Sequence, residues 1–258
     1  MREAVRKLLI PVALAALAAA AVEAQPAHPD LSGYWVISFG ALPPRRAATP
    51  LERSLLDRLA PGTLLLADSG LVEFPPGDYG GLKAHAAALE AARGYDPDVQ
   101  RSVATTCRPP DVIYSMQGPF PIEIFQGTEL VVIKMEYYDQ VRIVFMNQST
   151  HPDDWPNSLL GHSIGRWEGD TLVVDTTHIQ AATLFNNGLD HGAGIHLIER
   201  FRSSEDRKTL VITQEFEDPE TFDGHAARLL SLARGNDHVY PYDCDPSYGI
   251  AIATREKE

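Results

Sequence analysis

From Ile122 onward the chain is written in short runs rich in Val, Ile, Tyr and Thr, each closed by turn residues, and this rhythm constrains the fold more than any other feature. Residues 122–125 turn at 126–129 into 130–138, which turn at Asp139-Gln140 into 141–147. A proline-bearing loop, His151-Pro152-Asp153-Asp154-Trp155-Pro156, leads to 163–167, the turn Glu168-Gly169-Asp170 and a strand over 171–177. Residues 194–202 and 209–217 make a further hairpin, and 227–233 with 250–254 supply closing strands. So many hairpin-linked strands leave raw edges unless the sheet rolls up. The expected fold is therefore mostly β, an antiparallel, lipocalin-like β-barrel in a single domain.

The preceding stretch has a different texture. Asp30-Leu31-Ser32-Gly33-Tyr34-Trp35 opens an apolar strand through Phe39, and a Pro/Arg-rich passage follows at 42–50. Helical patterns cover 51–59, stopped by Pro61-Gly62, and 82–92, stopped by Gly94 and Pro97. Residues 25–110 are thus an N-terminal strand and helical covering segment, packed in one globular domain with the barrel body at 111–258. Residues 1–24 look like a signal peptide: Arg2, Arg6 and Lys7 precede an apolar run of roughly 15 residues ending at the small Ala24, short of the ~20 that span a bilayer. The expected location is periplasmic or secreted, with no membrane span.

Export gives the two cysteines a meaning. In an oxidising compartment Cys107 and Cys244 are expected to pair, closing a loop of roughly 137 residues worth about 4–5 kcal/mol on the chain-entropy model. The formal charge is -13. The leader holds three cations against two anions, so its removal leaves about −14. Such a surface disfavours a polyanionic partner, and nucleic-acid binding has no footprint here. The partner class left is a small molecule; self-association into a homo-oligomer is left open.

Between Gly161 and Arg200 the chain concentrates His162, His178, His191 and His196 beside Asp175, Glu199 and Arg200, groups able to move protons or bind metal near neutral pH. On a strand alternate side chains share a face, so His196 and Arg200 point one way and Glu199 the other. His178, His191 and His196 are joined by a short loop and are expected to converge at one barrel mouth, with His162 able to join them. The acid–base candidates are His196 with His191 or His178, oriented by Asp175 or Glu199. Asp175 is equally suited to capping the turn after its strand. Glu136 is a further acid–base candidate, should it reach the barrel interior. Tyr137, Arg142, His162, Trp167 and Arg200 are the substrate-binding candidates. His191 and His196 allow a divalent metal only if the turn at 192–194 folds one toward the other; nothing else in the sequence calls for a cofactor.

The run Gly161-His162-Ser163-Ile164-Gly165-Arg166-Trp167-Glu168-Gly169-Asp170-Thr171-Leu172-Val173-Val174-Asp175-Thr176 resembles the hallmark block of a poorly characterised family of exported bacterial proteins. Asp30–Trp35, Cys107-Arg108-Pro109-Pro110 and His196-Leu197-Ile198-Glu199-Arg200-Phe201 are similar to its secondary blocks. The resemblance implies a β-barrel-like domain behind a signal peptide, and no particular activity. His178 stands where a glycine-containing turn is usual, and Asp245-Pro246 where an acidic-Asn pair is usual. Nucleophile elbow, phosphate loop, dinucleotide fingerprint and His-Glu-x-x-His are all absent; Ser163 lies between glycines but leads into a hairpin, not a helix. The function expected is acid–base chemistry, with or without metal, on a small organic molecule by a lyase, isomerase or hydrolase. The alternative is a non-catalytic barrel that holds a small apolar ligand.

Overall fold

The computed structural model describes residues 28–38, 40, 42–69, 72–95 and 107–247. The expected strand at 250–254 and the leader lie outside these residues. In chain order the elements are β1 (Gly33–Ile37), α1 (Pro50–Leu56), β2 (Leu64–Leu65), α2 (Ala86–Ala92), α3 (Val112–Gln117), β3 (Ile122–Gln126), β4 (Leu130–Met135), β5 (Gln140–Phe145), β6 (His162–Glu168), β7 (Thr171–Thr177), β8 (Ala182–Phe185), β9 (Leu189–His191), β10 (His196–Ser203), β11 (Thr209–Glu217) and β12 (Ala226–Arg234).

Nine strands close into a barrel in the order β1-β3-β4-β5-β6-β7-β10-β11-β12, and β12 returns to β1 through Trp35 opposite Arg234. The closing strand is thus β1 of the N-terminal segment. β2 adds in parallel to the first residues of β12, and β8 with β9 forms a separate hairpin. Every joint between neighbours in the closed ring is antiparallel except β5–β6, which pairs in parallel through Val144 with Ser163 and Phe145 with Ile164. A parallel joint needs a crossover of a dozen or more residues. Here the crossover is the proline-bearing loop, and it lies over the outside of the wall.

Side-chain alternation fixes the two faces. Trp35, Ile133, Val144, Leu172, Val174, Leu197, Phe201, Ile212 and Phe216 belong to one buried cluster and point inward. With them go Arg142 and Glu199, almost fully buried and paired at 2.5 Å. Arg142 also donates to Ser163 Oγ and Thr176 Oγ1, and Gln214 donates to Glu199 Oε1. A charged pair survives inside because each partner is multiply hydrogen-bonded; removing either would strand the other. Large apolar side chains and this network pack the axis.

The helical patterns at 51–59 and 82–92 appear as α1 and the shorter α2. Thr49 and Glu52 form a reciprocal capping box at the start of α1, with Pro50 in the first turn. Leu55 then covers the outward-facing Val211 and Leu229, so β11 is buried on both faces. Cys107 and Cys244 are disulfide-bonded across 137 residues. Nearby, Tyr137 stacks on Phe120 at 4.8 Å and meets Tyr242 edge-on, holding the C-terminal strap to the barrel.

Candidate active site on the outer wall

Because Leu172, Val174 and Thr176 face inward, Asp175 faces out. The same argument turns His162 outward on β6, opposite the inward Ser163, and His196 outward on β10 beside the inward Leu197. Cross-strand register sets them level: His162 opposes Thr177, and His196 opposes Glu217. The histidines therefore gather at one end of the barrel, where β6 and β10 begin and β7 and β11 end, with their side chains on the outer face. Gly161 admits the crossover back into β6: at φ 63°, a Cβ there would lie 2.5 Å from the Thr177 carbonyl oxygen.

A continuous chain of ionisable groups results. His196 Nε2 meets Asp175 Oδ1 at 2.8 Å, and the crossover's His151 Nε2 reaches the same oxygen at 3.2 Å. His151 Nδ1 lies 2.7 Å from His162 Nδ1, so between those two nitrogens only one proton fits. On its far side His196 Nδ1 faces Glu217 Oε1 at 3.7 Å, and Glu217 Oε2 is 3.5 Å from His225 Nε2. His178 sits at the edge, 6.3 Å from His151 between ring centroids, with Nδ1 hydrogen-bonded to Thr177 Oγ1.

Environment drives these groups apart. The hydrogen bond to Asp175 raises the His196 pKa above the ordinary histidine value, against the opposing effect of burial. Burial lowers that of His162, and neighbouring His151 and His178 push the same way. Asp175 is held below the carboxylate range: burial works to raise it, but the hydrogen bonds from His196 and His151 prevail. Oppositely shifted titratable neighbours are the pattern of an acid and a base. His162 is packed between Phe145 and Trp155, and its Nε2 is buried without a partner.

Two clefts flank the chain. One, of about 220 Å³, runs along β10–β12 and is lined by His196, Glu217, His225, Arg200 and Arg58. Its arginines are neutralised by Glu215 and Glu168 at 2.8 and 2.7 Å. The other, of about 660 Å³, opens where β6 outruns the short parallel joint, between Gln126–Thr128 and Trp167, with Asp175 in its wall. His28 stacks flat on Trp167 there, 4.7 Å between centroids.

The remaining candidates disperse. His191 does not join the others: both its ring nitrogens are occupied, by Asp111 Oδ2 at 2.9 Å and the Gly192 carbonyl at 2.8 Å, in full burial. It shares no partner with His196, so the pair is not a metal pair; among the described residues no group of three or more His, Cys, Asp or Glu is placed to hold a metal. Glu199 and Arg142 are paired with each other in the interior, so neither is hydrogen-bonded to one of the histidines. Glu136 does not reach the interior; it accepts from the Tyr240 amide, beside Tyr137, before the start of β5. Glu217, His225 and Arg58 were not among the candidates. The loop His151-Pro152-Asp153-Asp154 reads in sequence either as metal-friendly or as ordinary turn chemistry, and neither reading placed His151 in the acid–base set.

The fold and site define a closed nine-stranded barrel with a histidine–carboxylate chain on its outside. Neither the protein-family models nor the curated proteins compared with the chain match it.

Proposed function

We propose that this protein is an exported enzyme that moves protons on a small organic substrate, as a lyase or isomerase, in the cleft beside His196. The observation that carries this is the setting of one ring. His196 is oriented from behind by Asp175 and presents its other nitrogen across a loose 3.7 Å gap to Glu217, in an open cleft. A protonated imidazole and a carboxylate side by side in the wall of a cleft can serve as acid and base to a substrate seated against both, a role of the kind worth about 10²–10⁴ in rate. Asp175 fixes the tautomer and favours the cation; His151 and the neutral-favouring His162 give the proton a path to the other side of Asp175. Among the described residues no serine or cysteine is hydrogen-bonded to the ring, which favours proton transfer over a covalent acyl intermediate. Export is supported by the leader pattern and by the disulfide.

The test does not need the natural substrate. The mature protein is incubated in D2O with a panel of small hydroxy and keto compounds, and exchange of carbon-bound hydrogen is followed by NMR. Exchange of at least one compound, reduced about 100-fold or more in His196→Ala and in Glu217→Gln with both variants folded, is the expected result. Undiminished exchange in both variants, or none with any compound, would sink the proposal.

A further inference from the structure

We infer that the outer face of β3–β5 is a docking surface for a cationic amphipathic helix of another polypeptide. Strand register sets its apolar residues side by side: Phe125 is opposite Val132, Val132 is opposite Ile143, and Leu130 is opposite Phe145. Trp155 of the crossover extends the patch from Phe145, 6.2 Å away between ring centroids. Phe125, Leu130, Val141, Ile143 and Trp155 are 38–51% exposed. Together they show on the order of 400 Å² of surface, the size at which an apolar patch on a single chain marks an interaction site.

The opposite wall shows how this barrel covers such a face. There the outward Val211 and Leu229 of β11 and β12 lie under Leu55 of α1, a helix laid on the sheet. On β3–β5 the same kind of face is bare. Its three strands span about 10 Å, and Val141 to Phe145 about 13 Å, the diameter of one helix and some two and a half turns of its length. The charges around the patch select the occupant. Glu129 precedes Leu130, and Asp153 and Asp154 precede Trp155; all three carboxylates are exposed and have no ion-pair partner among the described residues. Lys134, the cation on this face, turns its ammonium to the Val239 carbonyl at 3.1 Å. A second copy of a chain of charge -13 would set these carboxylates against their own kind. A helix with lysines flanking an apolar stripe meets the apolar patch with its stripe and the carboxylates with its charges.

Isothermal titration of the mature chain at pH 7 uses three synthetic peptides of about 14 residues, roughly four helical turns. One carries leucine on one face and lysine on the other, the second the same leucines with glutamate, the third the same lysines with serine for leucine. The leucine–lysine peptide should bind saturably, more weakly as salt is raised, and about tenfold or more tightly than either of the others. Phe125→Ser and Ile143→Ser, changes at exposed positions, should each weaken it about tenfold. Asp153→Asn with Asp154→Asn should weaken it severalfold and flatten its salt dependence. Two controls should leave it unchanged: Val72→Ser, at an apolar residue 47% exposed off this face, and Asp57→Asn with Glu205→Gln, at exposed carboxylates beside α1 and in the β10–β11 turn. No saturable binding, parent-like binding by Ile143→Ser and Phe125→Ser, or an equal loss in the controls would each overturn the assignment. So would dimerisation of the chain alone, or its binding to phosphatidylcholine vesicles, if Ile143→Ser abolished it, because the occupant would then be a second copy or a bilayer.

Discussion

Two of the molecule's histidine–aspartate pairs, nearly equal in length, serve opposite ends. His191 meets Asp111 at 2.9 Å with both side chains fully buried; His196 meets Asp175 at 2.8 Å with the side chains 33% and 26% exposed. In both, the carboxylate raises the histidine pKa against burial. What separates them is the second ring nitrogen. In His191 it is taken by the Gly192 carbonyl, while Asp111 caps α3 through the Tyr114 amide, so the pair pins the β8–β9 hairpin to a buried helix. In His196 it faces a cleft. The same dyad is a rivet where every valence is used and a reactive group where one is left open.

That contrast is most easily broken on the buried side. His191→Ala leaves the Asp111 charge without its buried partner and should cost about 3–5 kcal/mol in chemical unfolding. Turnover per folded molecule should hardly change. The pH dependence has a definite sign. Because the folded-state pKa of His191 is raised, its contribution is full below the unfolded value of about 6.5 and is lost as pH rises through the folded value. The difference in stability between parent and variant should therefore shrink toward alkaline pH. Loss of turnover with stability intact would instead make His191 catalytic and erase the distinction.

On the open side the expected signature is reversed. Asp175→Asn keeps the shape of the pair but removes the charge that raises His196, so the deuterium-exchange rate should fall about 100-fold with little change in thermal midpoint. If His196 works as the acid, the parent's rate declines as pH rises through its raised pKa. In the variant that alkaline limb should move to lower pH. A limb that stays in place would show that another group controls the proton.

How far these roles were legible in sequence follows from the range of the interactions. The hairpin strands of the body are local patterns, and they stand within a few residues of their expected places, Thr209–Glu217 at its full predicted extent. The disulfide was expected from the presence of two cysteines behind a leader-like pattern. His162, Asp175 and His196 were visible as residue types gathering at one end of the barrel, but which way a strand's faces point depends on how the barrel closes, so their outward direction was not legible. Periodicity missed α3, whose six residues are all buried and carry no amphipathic stripe, and it could not show that β11 is covered on both faces, since the second cover is α1. His191 was grouped with its sequence neighbours because Asp111, its partner, is 80 residues away. The parallel β5–β6 joint, which lays His151 across Asp175, has no sequence signature beyond a loop long enough to cross over.

The finest division lies at His178, adjacent to the chain yet not linked into it by a hydrogen bond to another histidine or carboxylate. Its φ of 58° is in the left-handed region, which costs a non-glycine residue about 1–2 kcal/mol. His178→Gly relieves that, but loses about 0.5–1 kcal/mol to chain entropy and a further ~1 kcal/mol with the Thr177 hydrogen bond, so the net effect on stability should be within about 1 kcal/mol of zero. Its electrostatic effect should still be readable. His178 is one of the neighbours that lower the His162 pKa, so in the variant the His162 ring should titrate at higher pH by NMR, while burial and His151 continue to hold it down. Exchange activity should survive, because the acid, its orienting carboxylate and Glu217 are untouched. A fall in turnover as large as that of Asp175→Asn would extend the working site across β7 to this turn, and the strained backbone at 178 would then be a cost retained for chemistry rather than a local accident.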